Sequence, residues 1–246
     1  MTGEPFRKRA PAGLPGALAF EAAGLAALAA AGARVPRVLE AGDEVLVLER
    51  VSAGGTADAR QQEEFGRQLA RVHRTTGERY GALDPTLPGY LGLCPVDLTP
   101  ADSWAESWLD RRVRPLTRQA VAAGVLDPAA AALADRLGPE GLGPPEPPTL
   151  VHGDLWAGNR LVDASGDSWL IDPAAHWGHR EVDLAMMRLF GGFTDREHAA
   201  YAEELPLAEG WRQRVPVYQL VPLLVHAILF DGGYGAQTMA ALRAAR

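Results

Sequence analysis

The chain has 246 residues, 47% of them hydrophobic and 22% charged, enough for one large domain or two lobes around a substantial core. A net charge of −7 with no dense Lys/Arg run argues against a nucleic-acid-binding surface. The single cysteine, Cys94, excludes an internal disulfide and a Cys-rich metal site, and it fits a reducing cytoplasm.

Met1 to Arg9 is basic, but Pro11, Gly13, Pro15 and Glu21 interrupt anything like the apolar region of a signal peptide. Residues 5–9 read as a short strand with Phe6 and Lys8 on one face. Residues 14–31, rich in Ala and Leu, read as a helix. Its apolar stripe of Leu14, Leu18, Leu25 and Leu28 contains Glu21. A carboxylate on a buried face is costly unless a cation meets it, and Lys8 is the nearest candidate. The alternative is a Glu at the edge of the stripe that reaches solvent.

Residues 35–39 and 45–49 read as two strands joined at Ala41-Gly42-Asp43. The Gly-rich run 52–56 suits a hinge, and Phe65, Leu69 and Val72 mark a helix face over 61–77. Strand-like segments precede this run and mostly helical ones come after it, which places a lobe boundary at Val51 and divides the chain into 1–51 and 52–246. Residues 81–99 form a long Pro- and Gly-containing connection, and 103–123 and 128–137 read as helices. Trp104 and Trp108 suit core packing. Arg111, Arg112 and Arg114 suit a solvated helix face, with an anion site as the alternative. Residues 138–149 carry Pro144, Pro145, Pro147 and Pro148 and must be irregular. Toward the end, Val217, Leu220, Val221, Leu224, Val225 and Ile228 mark a buried apolar helix. The apolar segment 215–230 reads as too short and too polar to span a membrane.

The chemistry concentrates in LVHGDLWAGN, Leu150 to Asn159. Two apolar residues lead into His152, Asp154 comes two positions later, and Asn159 five beyond that. Leu161-Val162 and Trp169-Leu170-Ile171 then flank a turn at 164–167, a hairpin that ends at Asp172. This is the order of a kinase catalytic loop, H-x-D-x-x-x-x-N, with a metal-binding Asp after it. Phosphoryl transfer needs a carboxylate to orient the attacking hydroxyl and accept its proton, which suits Asp154. It also needs oxygen ligands for Mg²⁺, which suits Asn159 and Asp172, since Mg²⁺ takes few protein carboxylates beside phosphate and water. His152 is too close to the strand end for a free base and suits a structural hydrogen bond. The plain alternative is a turn with incidental Asp and Asn. A metal-dependent hydrolase lacks the clustered His and Asp ligands it would need.

LVHGDLWAGN, IDPA (171–174), GHREVDLA (178–185), LFGGF (189–193) and YQLVPLLVHAILFDGGY (218–234) together resemble the fructosamine kinases, or ketosamine-3-kinases, relatives of the aminoglycoside and choline kinases. The resemblance covers nearly the whole chain. It implies an α+β, two-lobed protein-kinase-like fold, with a truncated small β-rich N-lobe and a large, mainly helical C-lobe. It implies ATP and Mg²⁺ as cofactors, and phosphorylation of the sugar 3-hydroxyl of ketoamines formed on amines or protein lysines. The 3-phosphates then decompose and free the amine. By the same resemblance Lys8 contacts the α/β-phosphates and Glu21 is its helix partner, while the backbone of Glu49-Arg50-Val51 meets adenine. Asp154 is the catalytic base, Asn159 and Asp172 hold magnesium, Trp156 lies near the sugar, and Asp183 braces the catalytic loop. Two departures stand out. Only seven residues precede Lys8, where the family has strands and a Gly-rich phosphate-covering loop, and Asp231 stands where the family more often has Gly. The first keeps open an inactive, kinase-like binding module, and an aminoglycoside- or choline-type kinase is the other alternative. An active-like N-lobe requires Lys8 and Glu21 within salt-bridge distance in a structure; separated side chains would count against it.

Overall fold

A computed structural model describes residues 4–230 and 232–245, so Asp231 lies outside the described residues. Three antiparallel strands form the small sheet: β1 (Phe6–Arg9) and β2 (Val38–Ala41) flank β3 (Val45–Leu48). β3 reads VLVL, and as the central strand it buries Leu46, Val47 and Leu48. Lys8 stands opposite Leu46. The β2–β3 register slips between Val38 and Glu40, a bulge that leaves Leu39 unpaired and 48% exposed. Helix α1 (Ala17–Ala30) lays Leu18, Leu25 and Leu28 against Leu46 and Leu48. Glu21, on the same stripe, is buried and meets Lys8 at 2.6 Å, so the cation partner is the arrangement adopted.

The apolar cluster beneath the sheet continues past Val51 into Phe65, Leu69 and Val72 of α2 (Ala59–His73). α2 starts earlier than its apolar pattern suggests because Asp58 caps it. The Asp58 carboxylate accepts the Gln61 N–H, and the Gln61 side chain accepts the Asp58 N–H. The 81–99 connection is more regular than expected. It holds β4 (Gly81–Ala82) and a hairpin of β5 (Gly89–Leu91) with β6 (Cys94–Val96), turned at Gly92-Leu93.

The helix expected over 103–123 is present, but Glu106–Val113 is wound as a π-helix before regular α3 (Arg114–Ala122) begins. Pro115, which has no N–H to donate, sits where the winding changes. Arg112 is wholly inside. Its guanidinium lies over Trp104 and Trp108, at 5.0 and 4.9 Å, and donates to the Ser107 carbonyl, the Ser107 hydroxyl and His176 Nε2. Burial pushes its pKa down to about 9. Arg111 pairs with Glu106 and Arg114 with Asp110, so these arginines are spent within the chain; they form neither an anion site nor a free solvated face.

The remaining elements are α4 (Ala129–Asp135), β7 (Thr149–Val151), the hairpin β8 (Arg160–Val162) and β9 (Ser168–Leu170), β10 (His176–Gly178) and α5 (Glu181–Leu189). After them come α6 (Asp195–Glu204), α7 (Trp211–Tyr218), α8 (Leu220–Phe230) and α9 (Tyr234–Ala244). β10 pairs antiparallel with both β4 and β7, closing a second small sheet around the start of the catalytic loop. α7 and α8 together span Trp211–Phe230, 20 residues, long and apolar enough by length and composition to cross a membrane. This run starts four residues ahead of the 215–230 segment that reads as too short. Half of it is buried inside the molecule, where Val217, Leu220 and Leu224 pack with Trp108, Val113 and Leu242.

α6 is tied to the β8 hairpin through Glu197, which is 0% exposed. One of its oxygens takes the Arg160 guanidinium and the other accepts the Thr194 N–H at the start of its own helix. Arg160 also lies 4.3 Å from the Phe193 ring centre and donates to the Gly192 carbonyl, so the residue after Asn159 is clamped to the LFGGF segment. Removing one partner of a buried ion pair costs about 3–5 kcal/mol. Glu197→Ala is therefore expected to lower the urea midpoint by that much stability with the m-value unchanged; a loss under about 1 kcal/mol would show that the pair carries little.

Candidate active site

β7 delivers His152 at its end, and two tight features shape the loop beyond it. Gly153 has φ +82°, and a Cβ there would sit 2.2 Å from the Ala174 carbonyl oxygen, so only glycine lets the loop pass this close to the 172–175 segment. Asp172 is the one non-glycine with positive φ among the described residues, at +52°. Asp tolerates this left-handed region better than most side chains, and its carboxylate meets Lys8 at 2.9 Å.

Asp183, on α5, holds the loop's backbone. It is fully buried and accepts the His152 N–H at 2.7 Å, the Gly153 N–H at 2.9 Å and His73 Nε2–H at 3.1 Å. Burial alone would raise its pKa, but these donors outweigh it and hold the carboxyl below its ordinary value. His152 donates from Nε2 to the Ile171 carbonyl at 3.1 Å and accepts the Asp154 N–H at Nδ1, at 3.3 Å. The imidazole therefore ties the loop to the residue before Asp172.

Asp154 sits at the centre of a cleft of about 350 Å³ whose lining also includes Lys8, Glu21, Trp156, Asn159 and Asp172. Asn159 Nδ2 donates to the Asp154 carbonyl and to its Oδ2, each at 2.9 Å, which leaves Asn159 Oδ1 without a bond within the described residues. Burial is the main force that pushes the Asp154 carboxyl up to about 7. The Asn159 amide pulls the other way, and the charges of Asp172 and Asp183 push further. Lys8 reaches both Glu21 Oε2, at 2.6 Å, and Asp172 Oδ1, at 2.9 Å. Burial opposes its charge, but the two carboxylates outweigh burial and hold the ammonium above its ordinary value.

Six of the candidates read from the sequence, Lys8, Glu21, Asp154, Trp156, Asn159 and Asp172, meet in this one cleft. His152 and Asp183 lie directly behind it. Glu49, Arg50 and Val51 are not among its lining residues. The Glu49 side chain accepts from Arg37 Nε at 3.1 Å, and Arg50 Nε donates to the Glu4 carbonyl at 2.6 Å. Sequence reasoning misses an aromatic strip. Trp156 meets Phe190 edge-on at 5.8 Å, Phe190 contacts His226 at 5.0 Å, and His226 contacts Phe230 at 5.4 Å. Phe190 and His226 fall inside the LFGGF and YQLVPLLVHAILFDGGY blocks, but nothing local in the sequence brings them together.

Among the described residues no group of three or more His, Cys, Asp or Glu side chains could hold a metal unaided. Asp172 and the free Asn159 oxygen nevertheless suit a hard cation that takes its remaining ligands from phosphates and water. Burial is the main cause of the raised Asp154 carboxyl, and the neighbouring carboxylate charges that add to it also favour a cation there.

A two-lobed fold with a Lys–Glu pair under a small sheet and an Asp–Asn–Asp set on a loop and hairpin defines a phosphotransferase of the protein-kinase-like class. The family model for fructosamine kinase matches residues 5–245. A probable ketoamine kinase from Thermus thermophilus is 38% identical over 231 residues, 89% of this chain and 79% of that protein. A crystal structure assigned as a fructosamine-3-kinase, from Thermobifida fusca, superposes with a TM-score of 0.89 at 42% identity, over 98% of this chain and 85% of the other. A choline/ethanolamine kinase family protein from Mesorhizobium loti shares the fold alone, with a TM-score of 0.62 at 14% identity over 99% of this chain and 83% of its own. This chain belongs to the fructosamine kinase family. It is accordingly an ATP-dependent phosphotransferase of the ketosamine kinase group.

Asp183→Ala removes the acceptor of two buried N–H groups, each worth about 1–3 kcal/mol when orphaned. A drop in the urea midpoint together with a loss of turnover is expected. Full turnover in a destabilised variant would separate the brace from the chemistry.

Proposed function

We propose that this protein transfers the γ-phosphoryl group of ATP to the 3-hydroxyl of fructosamines or ribulosamines, small or protein-linked, in the cytoplasm. The new O3–P bond forms as the bond between the γ-phosphorus and the bridging oxygen breaks, and the hydroxyl proton passes to Asp154. The 3-phosphate product decomposes and releases the amine, which makes the reaction a step in deglycation. The observation that carries this reading is the geometry at Asp154: one of its oxygens is fixed by Asn159, and it shares its cleft with Lys8, Glu21 and Asp172. Burial, which pushes its carboxyl up to about 7, suits it to accepting a proton near neutral pH.

In this reading residues 1–51 form the nucleotide-covering lobe and 52–246 the lobe that carries catalysis. Glu21 orients Lys8 toward the α/β-phosphates. Asn159 and Asp172 hold Mg²⁺, which when bound neutralises phosphate charge. Adenine is met by the backbone around Val51. The Glu49 N–H is spent on the Arg37 carbonyl, but the backbone groups of Arg50 and Val51 have no backbone partner among the described residues. Trp156, 37% exposed beside Asp154, lies against the sugar.

The test is an ATP/Mg²⁺ assay with a fructosamine acceptor. Asp154→Asn is expected to lower kcat by about 10²–10⁴-fold with nucleotide binding retained. Lys8→Ala is expected to raise the KM for ATP. A wild-type protein that binds nucleotide but phosphorylates no ketosamine would return the chain to the binding-module alternative.

A further inference from the structure

Arg112 buries a charge, which is costly, and the chemistry described above makes no use of it. The π-wound turn lays it over Trp104 and Trp108, and Nε and Nη2 are spent on Ser107 of the same turn. The third bond leaves the turn: Arg112 Nη1 donates to His176 Nε2 at 2.9 Å. A guanidinium has no acceptor, so this bond requires a lone pair on Nε2 and puts the imidazole proton on Nδ1. Burial first, and then the charge of Arg112, push the His176 pKa down to about 3, so the ring stays neutral and keeps that one tautomer. Its Nδ1–H donates to the Ala174 carbonyl at 2.8 Å.

The Ala174 carbonyl is where the two halves of the site touch. Asp172 lies two residues before it. Gly153, next to Asp154, passes so close that a Cβ there would sit 2.2 Å from the Ala174 oxygen and 3.0 Å from His176 Nδ1. His176 is also tied to the loop by its backbone, because it opens β10 opposite Val151, the last residue of β7. The other tautomer would turn a lone pair toward the Ala174 oxygen, and that carbonyl would lose this donor at a buried position.

We infer that Arg112 is a positioning residue for phosphoryl transfer: by fixing the tautomer of His176 it holds the Ala174 carbonyl, and so sets how the segment of Asp172 lies against the loop of Asp154. The inference rests on the roles given above to these two aspartates and on no particular acceptor.

Turnover and tautomer are measured together. Turnover is read with ATP/Mg²⁺ and a fructosamine, and also as the slow hydrolysis of ATP without acceptor. A wild type that hydrolyses ATP but phosphorylates no ketosamine removes the ketosamine reading and leaves this comparison standing. The tautomer is read from the ring-nitrogen NMR shifts of labelled histidine, with His176→Asn identifying the signal. Wild type is expected to carry the His176 proton on Nδ1. Arg112→Met is expected to move it toward Nε2 and to lower kcat by about 10- to 100-fold, the usual cost of losing a partner that orients a ligand. Asn places an amide N–H near the position of Nδ1 and has no tautomer to fix. His176→Asn is therefore expected to keep most of the turnover that His176→Phe loses. Arg112→Met made on top of His176→Asn is expected to cost about twofold or less, because the path it acts through is already gone. An equal loss from Arg112→Met in both backgrounds means a structural role only and overturns the inference, as does a wild-type proton on Nε2. If Arg112→Met does not fold, equal losses in His176→Phe and His176→Asn overturn it.

Discussion

Asp183 places a negative charge where no water reaches, and the catalytic loop is arranged around keeping it there. Each carboxylate oxygen takes a backbone N–H from the loop, and His73 adds a third donor from α2. His73 is fixed in turn by the Tyr201 hydroxyl of α6, 2.9 Å away. One side chain thus joins α5, α2 and the loop, and α6 is linked to it through His73. An unpaired charge at that depth would cost several kcal/mol, so the loop has one way to lie, and Asp154 inherits its position from that constraint.

The other side of the loop faces the opposite problem. Asp154, Asp172 and Glu21 gather in one cleft against Lys8. Lys8 answers two of the carboxylates at once, and Asp154, lifted mainly by burial and further by the charges of Asp172 and Asp183, holds its proton more tightly than an ordinary aspartate. Under the proposed function, a nucleotide with its cation changes both sides of this balance, with positive charge at Asp172 and phosphate at Lys8. Recruiting these partners therefore means rearranging an existing ion pair as well as filling a space.

What can be read from the residues alone has a physical boundary. His152, Asp154, Asn159 and Asp172 sit on one loop and hairpin, so their spacing already encodes their approach. Glu21 betrays Lys8 because a carboxylate on an apolar stripe demands a cation. Arg112 is illegible, because a regular helix puts it beside Arg111 and Arg114, and only the π-wound turn carries it inward between Trp104 and Trp108. β10 is three residues long and shows no period, and α6, DREHAAYAEE, presents too weak a stripe to be picked out. The aromatic strip joins the catalytic loop, α5's end and α8, and no local pattern anticipates a contact between segments so far apart.

The apolar cluster beneath the small sheet has a consequence for motion. Leu25, Leu28, Leu46 and Leu48 share one core with Phe65, Leu69, Leu184 and Tyr201. The sheet has only three four-residue strands, and its one buried face is completed by helices. That face is shared with helices that follow Val51 in the chain. The small sheet and the helices beneath it share one buried cluster, so opening either exposes apolar surface of the other. A cavity made in α2 or α5 is thus felt in the core beneath the small sheet, on the side that carries Glu21 and its pair Lys8.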